Sequence, residues 1–117
     1  MSSYEELRLL NIRIGNAESR GDKRFFEELL APAFAIRRAD GRRVEDRKQF
    51  ICAVAKSGRR TTKVNSMSLE GNRAVVACVV EMETADGPKR FHNLRLFVRR
   101  SPRSAWKLLA WANEPSP

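Results

Sequence analysis

The chain has 117 residues, 42% of them hydrophobic, and a formal net charge of +9. That is one domain of common size, long enough to bury a core without disulfide or metal staples and too apolar for a disordered chain. No stretch holds the roughly 18 apolar residues of a membrane span, and the acidic, polar start Ser2-Ser3-Tyr4-Glu5-Glu6 is unlike a secretory signal, so a single cytoplasmic domain over 1–117 with no membrane contact is expected.

The first predicted element is a helix. Tyr4, Leu7, Leu10, Ile14 and Ala17 recur at helical steps, Ser2 or Ser3 can cap it, and Gly21 stops it. Asp22 then caps a second helix with Phe25, Phe26, Leu29 and Leu30 on its apolar stripe, ended by Pro32. Phe34-Ala35-Ile36 reads as a short strand entering an Asp40-Gly41 turn. A third helix runs from about Asp46 to Ser57-Gly58, with Phe50, Ile51, Val54 and Ala55 on one side. The periodicity then switches from 3.6 to 2. Strands are expected at Thr61–Leu69, Ala74–Thr84, Phe91–Arg100 and Ala105–Ala112, separated by turn-forming segments of hairpin length. Helices first and an antiparallel meander after make an α+β domain.

That series resembles the nuclear-transport-factor-2-like superfamily, the SnoaL-like and ketosteroid-isomerase-like cone fold. The resemblance rests on the Gly21-Asp22 step, on Leu29-Leu30-Ala31-Pro32-Ala33-Phe34, and on Leu96-Phe97-Val98-Arg99-Arg100 followed by Trp106-Lys107-Leu108-Leu109. It covers about Leu7 to Asn113. It implies three helices packed on a curved antiparallel sheet that encloses a pocket, and dimerisation through the sheet. The superfamily also includes polyketide cyclases, dehydratases, the association domain of the calmodulin-dependent kinase and small bacterial proteins without assigned activity, so the fold leaves the chemistry open. Ketosteroid isomerases place a tyrosine and an aspartate base where this chain has Ile14 and Arg38. Neither can do that work, and steroid isomerisation is not expected.

The site residues follow from polar positions on apolar strands. A loop at Asp86–Arg90 sets Glu81 opposite Arg95 and Glu83 opposite Asn93. These share a face with Val75, Ala77, Val79, Phe91 and Phe97. That face is assigned to the pocket, with Glu81, Asn93, Arg95, Phe97, Trp111 and Ile14 as its ligand-facing residues. The kinase association domain looks similar around Arg95. Glu81 and Asp40 are the candidate catalytic groups. A Glu81–Arg95 ion pair would orient a small polar or carbonyl ligand, or simply satisfy two half-buried charges. The opposite, uniformly apolar face (Val76, Cys78, Val80, Met82, Leu94, Leu96, Val98) is assigned to a homodimer.

The charge is local. Residues 37–63 carry ten basic and three acidic side chains, whereas residues 1–36 carry five and six. Arg42, Arg43 and Arg47 are the expected anion-binding surface. The functions in view are therefore a homodimeric small-molecule-binding domain, with isomerase, dehydratase or hydrolase chemistry open to it, and a non-enzymatic dimeric module whose basic segment docks an acidic protein or nucleic acid. Few aromatic residues interleave with the basic ones, which suits nucleic acid less well. No cofactor and no metal site is expected, because Cys52 and Cys78 lack ligand spacing, and the one histidine, His92, has no Ser or Cys partner in a nucleophile context.

Overall fold

A computed structural model describes residues 1–41 and 43–116. Arg42, one of the expected anion-binding residues, lies outside the described residues. Helix α1 spans Ser3–Arg20, capped by the Ser2 side chain on the Glu5 N–H. It stops at Gly21, whose φ of 69° is left-handed. A Cβ there would stand 2.5 Å from the Lys56 backbone nitrogen, so both the conformation and the close approach require glycine. Helix α2 spans Lys23–Leu29 and is capped by Asp22. It is followed directly by β1 (Leu30–Arg37). Pro32 therefore lies inside the strand rather than ending the helix. The parallel pairing of β1 with the last strand is irregular between Leu30 and Ala35, which accommodates the proline.

A three-residue strand not expected from the sequence, β2 (Val44–Asp46), pairs antiparallel with β1. Asp46 and Gln49 then form a reciprocal capping box for α3. That helix covers only Arg47–Ala53, since Val54 is already extended. The expected helix to Ser57 is thus one turn too long. The remaining strands are β3 (Arg60–Glu70), β4 (Arg73–Thr84), β5 (Gly87–Val98) and β6 (Lys107–Pro115). The six strands form one sheet in the order β2-β1-β6-β5-β4-β3. The helices cover one face, where Leu7, Ile14, Ala17, Phe26 and Phe50 meet Phe34, Val76, Phe97, Leu108 and Trp111 in a single core.

The β4–β5 register differs from the expected one. The chain turns tightly at Ala85-Asp86, and Gly87 takes a φ of 102° that lets β5 begin four residues earlier than Phe91. Glu81 therefore pairs with Arg90, and Arg95 pairs with Val76. The offset is odd, so it exchanges the two faces of β4 relative to β5. Val76, Cys78 and Val80 are buried beneath the helices. Met82 shares their side and lines a cavity. These four cannot belong to an outer interface. The outer face instead carries Val75, Ala77, Val79, Glu81 and Glu83 beside Leu94, Leu96 and Val98.

Candidate functional site

The inner face of β5 presents Asn93, Arg95 and Phe97 in alternation. Arg95 is fully buried. Its Nη1 donates to Asn11 Oδ1 on α1 (3.0 Å) and its Nη2 to Asn93 Oδ1 (3.0 Å). The guanidinium carbon lies 4.3 Å from the centroid of the Trp111 ring on β6, a cation–π contact. Trp111 Nε1 donates to the same Asn93 Oδ1 (2.6 Å). Asn93 Nδ2 in turn donates to Asn113 Oδ1 (3.3 Å). Asn11 is fixed because its Nδ2 donates to the Leu7 carbonyl one turn back. Among the described residues Arg95 makes no ion pair, and its Nε–H has no hydrogen-bond partner. Burial pushes the guanidinium down from its ordinary pKa, but an arginine remains charged in a protein. Among the described residues the cation is thus in direct contact with amide oxygens and a π face, with Glu18 acting on it at longer range.

A cavity of about 170 Å³ opens beside this network, lined by Asn93, Trp111, Asn113, Val80, Met82 and Phe91, with Glu18, Arg38, Ala39 and Arg60 completing its wall. A second cavity of about 210 Å³ adjoins Glu18, Arg38 and Arg60 together with Phe50 and the segment after α3. Glu18 projects from α1 and lies 3.6 Å from Arg60 Nε, both largely buried. Its carboxyl pKa is raised by burial, against the opposing pull of Arg60, Arg95 and Arg38. Arg38 lies over the Phe50 ring and pairs with the buried Glu45 at 2.7 Å. The wall thus holds two guanidinium groups, Arg38 paired with Glu45 and Arg60 beside Glu18, whose carboxyl faces the cavity.

The structure brings five of the six sequence-assigned pocket residues to the helix-covered side: Asn93, Arg95, Phe97, Trp111 and Ile14. Asn93 and Trp111 line the cavity, and Ile14 and Phe97 lie in the core behind it. Glu81 is on the opposite face, half-exposed and 3.4 Å from Arg90. It cannot pair with Arg95 or serve the cavity. Asp40 sits on the exposed turn after β1. Of the expected anion-binding surface, Arg43 is 3.4 Å from Glu45, and Arg47 donates to the carbonyls of Leu30 and Glu27. Asn11 and Glu18 were missed. Each stands one helical turn from an apolar position of α1, after Leu7 and after Ile14. Polar residues on a buried stripe are the signal that could have found them. Among the described residues no cluster of three or more His, Cys, Asp or Glu side chains could hold a metal ion, and no helix is long and apolar enough to cross a membrane.

A scan of protein-family models and a search of curated proteins find no match to this sequence. Solved structures do match in shape. An NTF2-like protein from Cytophaga hutchinsonii superposes with a TM-score of 0.83 at 15% identity, over 99% of this chain and 100% of that one. An NTF2-like protein of unknown function in nutrient uptake from Rhodospirillum rubrum gives 0.76 at 21%, over 98% of each chain. The S. rosetta CaMKII hub gives 0.76 at 16%, over 99% and 98%. The chain has the cone-shaped nuclear-transport-factor-2-like fold.

The network makes a thermodynamic prediction. Asn11→Leu leaves the buried cation with one acceptor fewer and should cost about 2–4 kcal/mol. Arg95→Met removes the desolvation penalty together with the hydrogen bonds and should cost less. The double variant should be more stable than the sum of the single changes implies by about 1 kcal/mol or more. Urea unfolding of the four proteins measures the cycle, and strict additivity would contradict the network.

Proposed function

We propose that this fold serves as a homodimeric binding domain whose cavity takes a small compound bearing an anionic or carbonyl oxygen. The observation that carries the reading is the buried Arg95, a core cation that makes no direct ion pair among the described residues and feels Glu18 only at longer range, behind a wall that also holds Arg38 and Arg60. An anion in the cavity would add to the compensation that Glu18 gives at longer range. A volume near 170 Å³, the space of roughly five or six waters, suits a compound of a few heavy atoms. Trp111 offers it an apolar wall, and the amides of Asn93 and Asn113 offer polar contacts. An isomerase, dehydratase or hydrolase step would run through Glu18, the acid–base group of the cavity wall, whose raised pKa suits proton exchange nearer neutrality.

The test is calorimetric titration with methanesulfonate, whose charge is constant across the working range, against its neutral amide. The sulfonate should bind and the amide should not. Arg60→Met should weaken binding by about tenfold, the effect of losing one charge-assisted contact. The sign of the pH dependence follows from Glu18. Its folded-state pKa is raised, so above that pKa the carboxylate repels the ligand, and below it the neutral acid does not. Affinity should rise as pH falls through the Glu18 pKa, and Glu18→Gln should give the tighter, flat profile. Equal binding of sulfonate and amide would overturn the reading.

The dimer belongs to the same proposal, through the outer face rather than the one expected from sequence. Val75 and Leu94 are large exposed apolar side chains there, 38% and 52% accessible. Ala77, Val79, Leu96, Ala110 and Ala112 surround them. Charged groups stand at the margin, including the Arg37–Glu114 pair, as in an interface with an apolar centre and polar rim. A neighbour in shape is itself called a hub. Sedimentation at micromolar concentration should show a dimer, and Leu94→Glu a folded monomer. A monomeric wild type, or a fully dimeric Leu94→Glu variant, would remove this part of the proposal.

A further inference from the structure

The charge of the chain is distributed unevenly over the fold. The seven ion pairs among the described residues use Arg8, Arg20, Arg37, Arg38, Arg43, Arg60 and Arg90. At the end of the sheet remote from the cavity lies an open groove of about 1080 Å³. It runs between the start of β1, the N-terminal turn of α3 and the β5–β6 connection. Along β5, Asn93 of the cavity and Val98 of the groove are five residues apart, roughly 17 Å at strand rise. Six cations line the groove: Arg47, Lys48, Arg73, Arg99, Arg100 and Lys107. None of the six belongs to any of the seven ion pairs. Two carboxylates, Glu27 and Asp46, share the lining, and Asp46 is engaged in capping Gln49.

Several of these cations are held in place by neutral acceptors. Arg47 Nη2 donates to the Glu27 carbonyl (2.6 Å) and its Nε to the Leu30 carbonyl (3.3 Å). Arg73 Nη1 donates to the Asn72 carbonyl (2.9 Å). Arg99 Nε donates to Asn72 Oδ1 (3.2 Å). Lys107 Nζ donates to the Glu28 carbonyl. Carbonyl oxygens orient a cation without neutralising it, so the groove keeps its field while the heads stay ordered.

The floor identifies the partner. It is apolar, made by Leu30, Ala31, Pro32, Val98 and Ala105. The neighbouring aromatic ring, Trp106, is buried and already carries the Arg99 guanidinium 4.1 Å above its centroid. It offers no free face for stacking a base. We infer that the groove binds an acidic peptide segment of a partner protein, with carboxylates on the cationic walls and apolar side chains on the floor. The site is separate from the small-molecule cavity and does not depend on it.

The test is fluorescence anisotropy with a labelled peptide of glutamates interspersed with leucines, measured against its lysine counterpart and a single-stranded oligonucleotide. The acidic peptide should bind, and more weakly as salt rises. Lys48→Glu, Arg73→Glu and Arg100→Glu together should weaken binding by at least about tenfold. The control triple Arg13→Glu, Arg24→Glu and Lys89→Glu makes the same change in net charge at exposed positions outside the groove. It should change binding by less than about twofold. If circular dichroism shows the groove triple unfolded, the alanine triple at the same positions replaces it and should weaken binding at least about threefold. Equal loss in the groove and control triples would reduce the effect to net charge and overturn the proposal. So would tighter binding of the oligonucleotide, or no binding of the acidic peptide at low salt.

Discussion

A guanidinium cannot shed its charge on entering a protein core, and everything around Arg95 is arranged to tolerate that. The strand alternation of β5 places it inward between Asn93 and Phe97. α1 supplies Asn11 as an acceptor, and β6 supplies the Trp111 ring. Each of these elements is fixed in register by a polar contact as well as by apolar packing. A buried polar network of this kind is demanding. A shift of one residue in β5 would turn the arginine to solvent and leave both asparagines without it. No formal negative charge among the described residues touches the guanidinium directly, Glu18 acting at longer range, and the proposed anion would enter by the cavity adjoining Asn93 and Trp111.

The fold was largely legible because its signals are local. Helix caps at Ser2 and Asp22, the stop at Gly21 and the switch to period two at Thr61 all depend on neighbours a few residues away. The polar residues of β5 were also visible, since Asn93 and Arg95 interrupt an apolar strand. What failed was the partner of that strand. A hairpin's register is set by how many residues turn, and Asp86-Gly87-Pro88 can be read as a longer loop than the tight turn at Ala85-Asp86. One odd offset sent Glu81 to the wrong face and exchanged the core side of β4 with its outer side. The short β2 and the early end of α3 were missed because three-residue strands and one-turn differences are set by tertiary pairing rather than by pattern. Asn11 and Glu18 were hidden by the wide apolar stripe of α1.

Basic charge, concentrated in residues 37–63 of the sequence, is divided in space. Arg38 and Arg43 are engaged by Glu45, and Arg60 by Glu18, with Arg38 and Arg60 in the cavity wall. Arg47 and Lys48 point the other way and join Arg73, Arg99, Arg100 and Lys107, which come from distant parts of the chain. Among the described residues, one end of the sheet thus has ion-paired charges around a small cavity, and the other has cations outside any ion pair along an open groove. A linear count of charges could not separate the two, because ion pairing is a property of the folded arrangement.

The most direct measurement is a crystal structure of the protein soaked with bromomethanesulfonate, in which bromine is located by its anomalous scattering. A bromine peak is expected in the cavity against the Trp111 wall, with the sulfonate toward Arg38 and Arg60, and its loss in crystals of the Arg95→Met variant. An empty cavity in the wild type, or an undiminished peak without the arginine, would contradict the claim that the buried cation prepares this cavity for an anion.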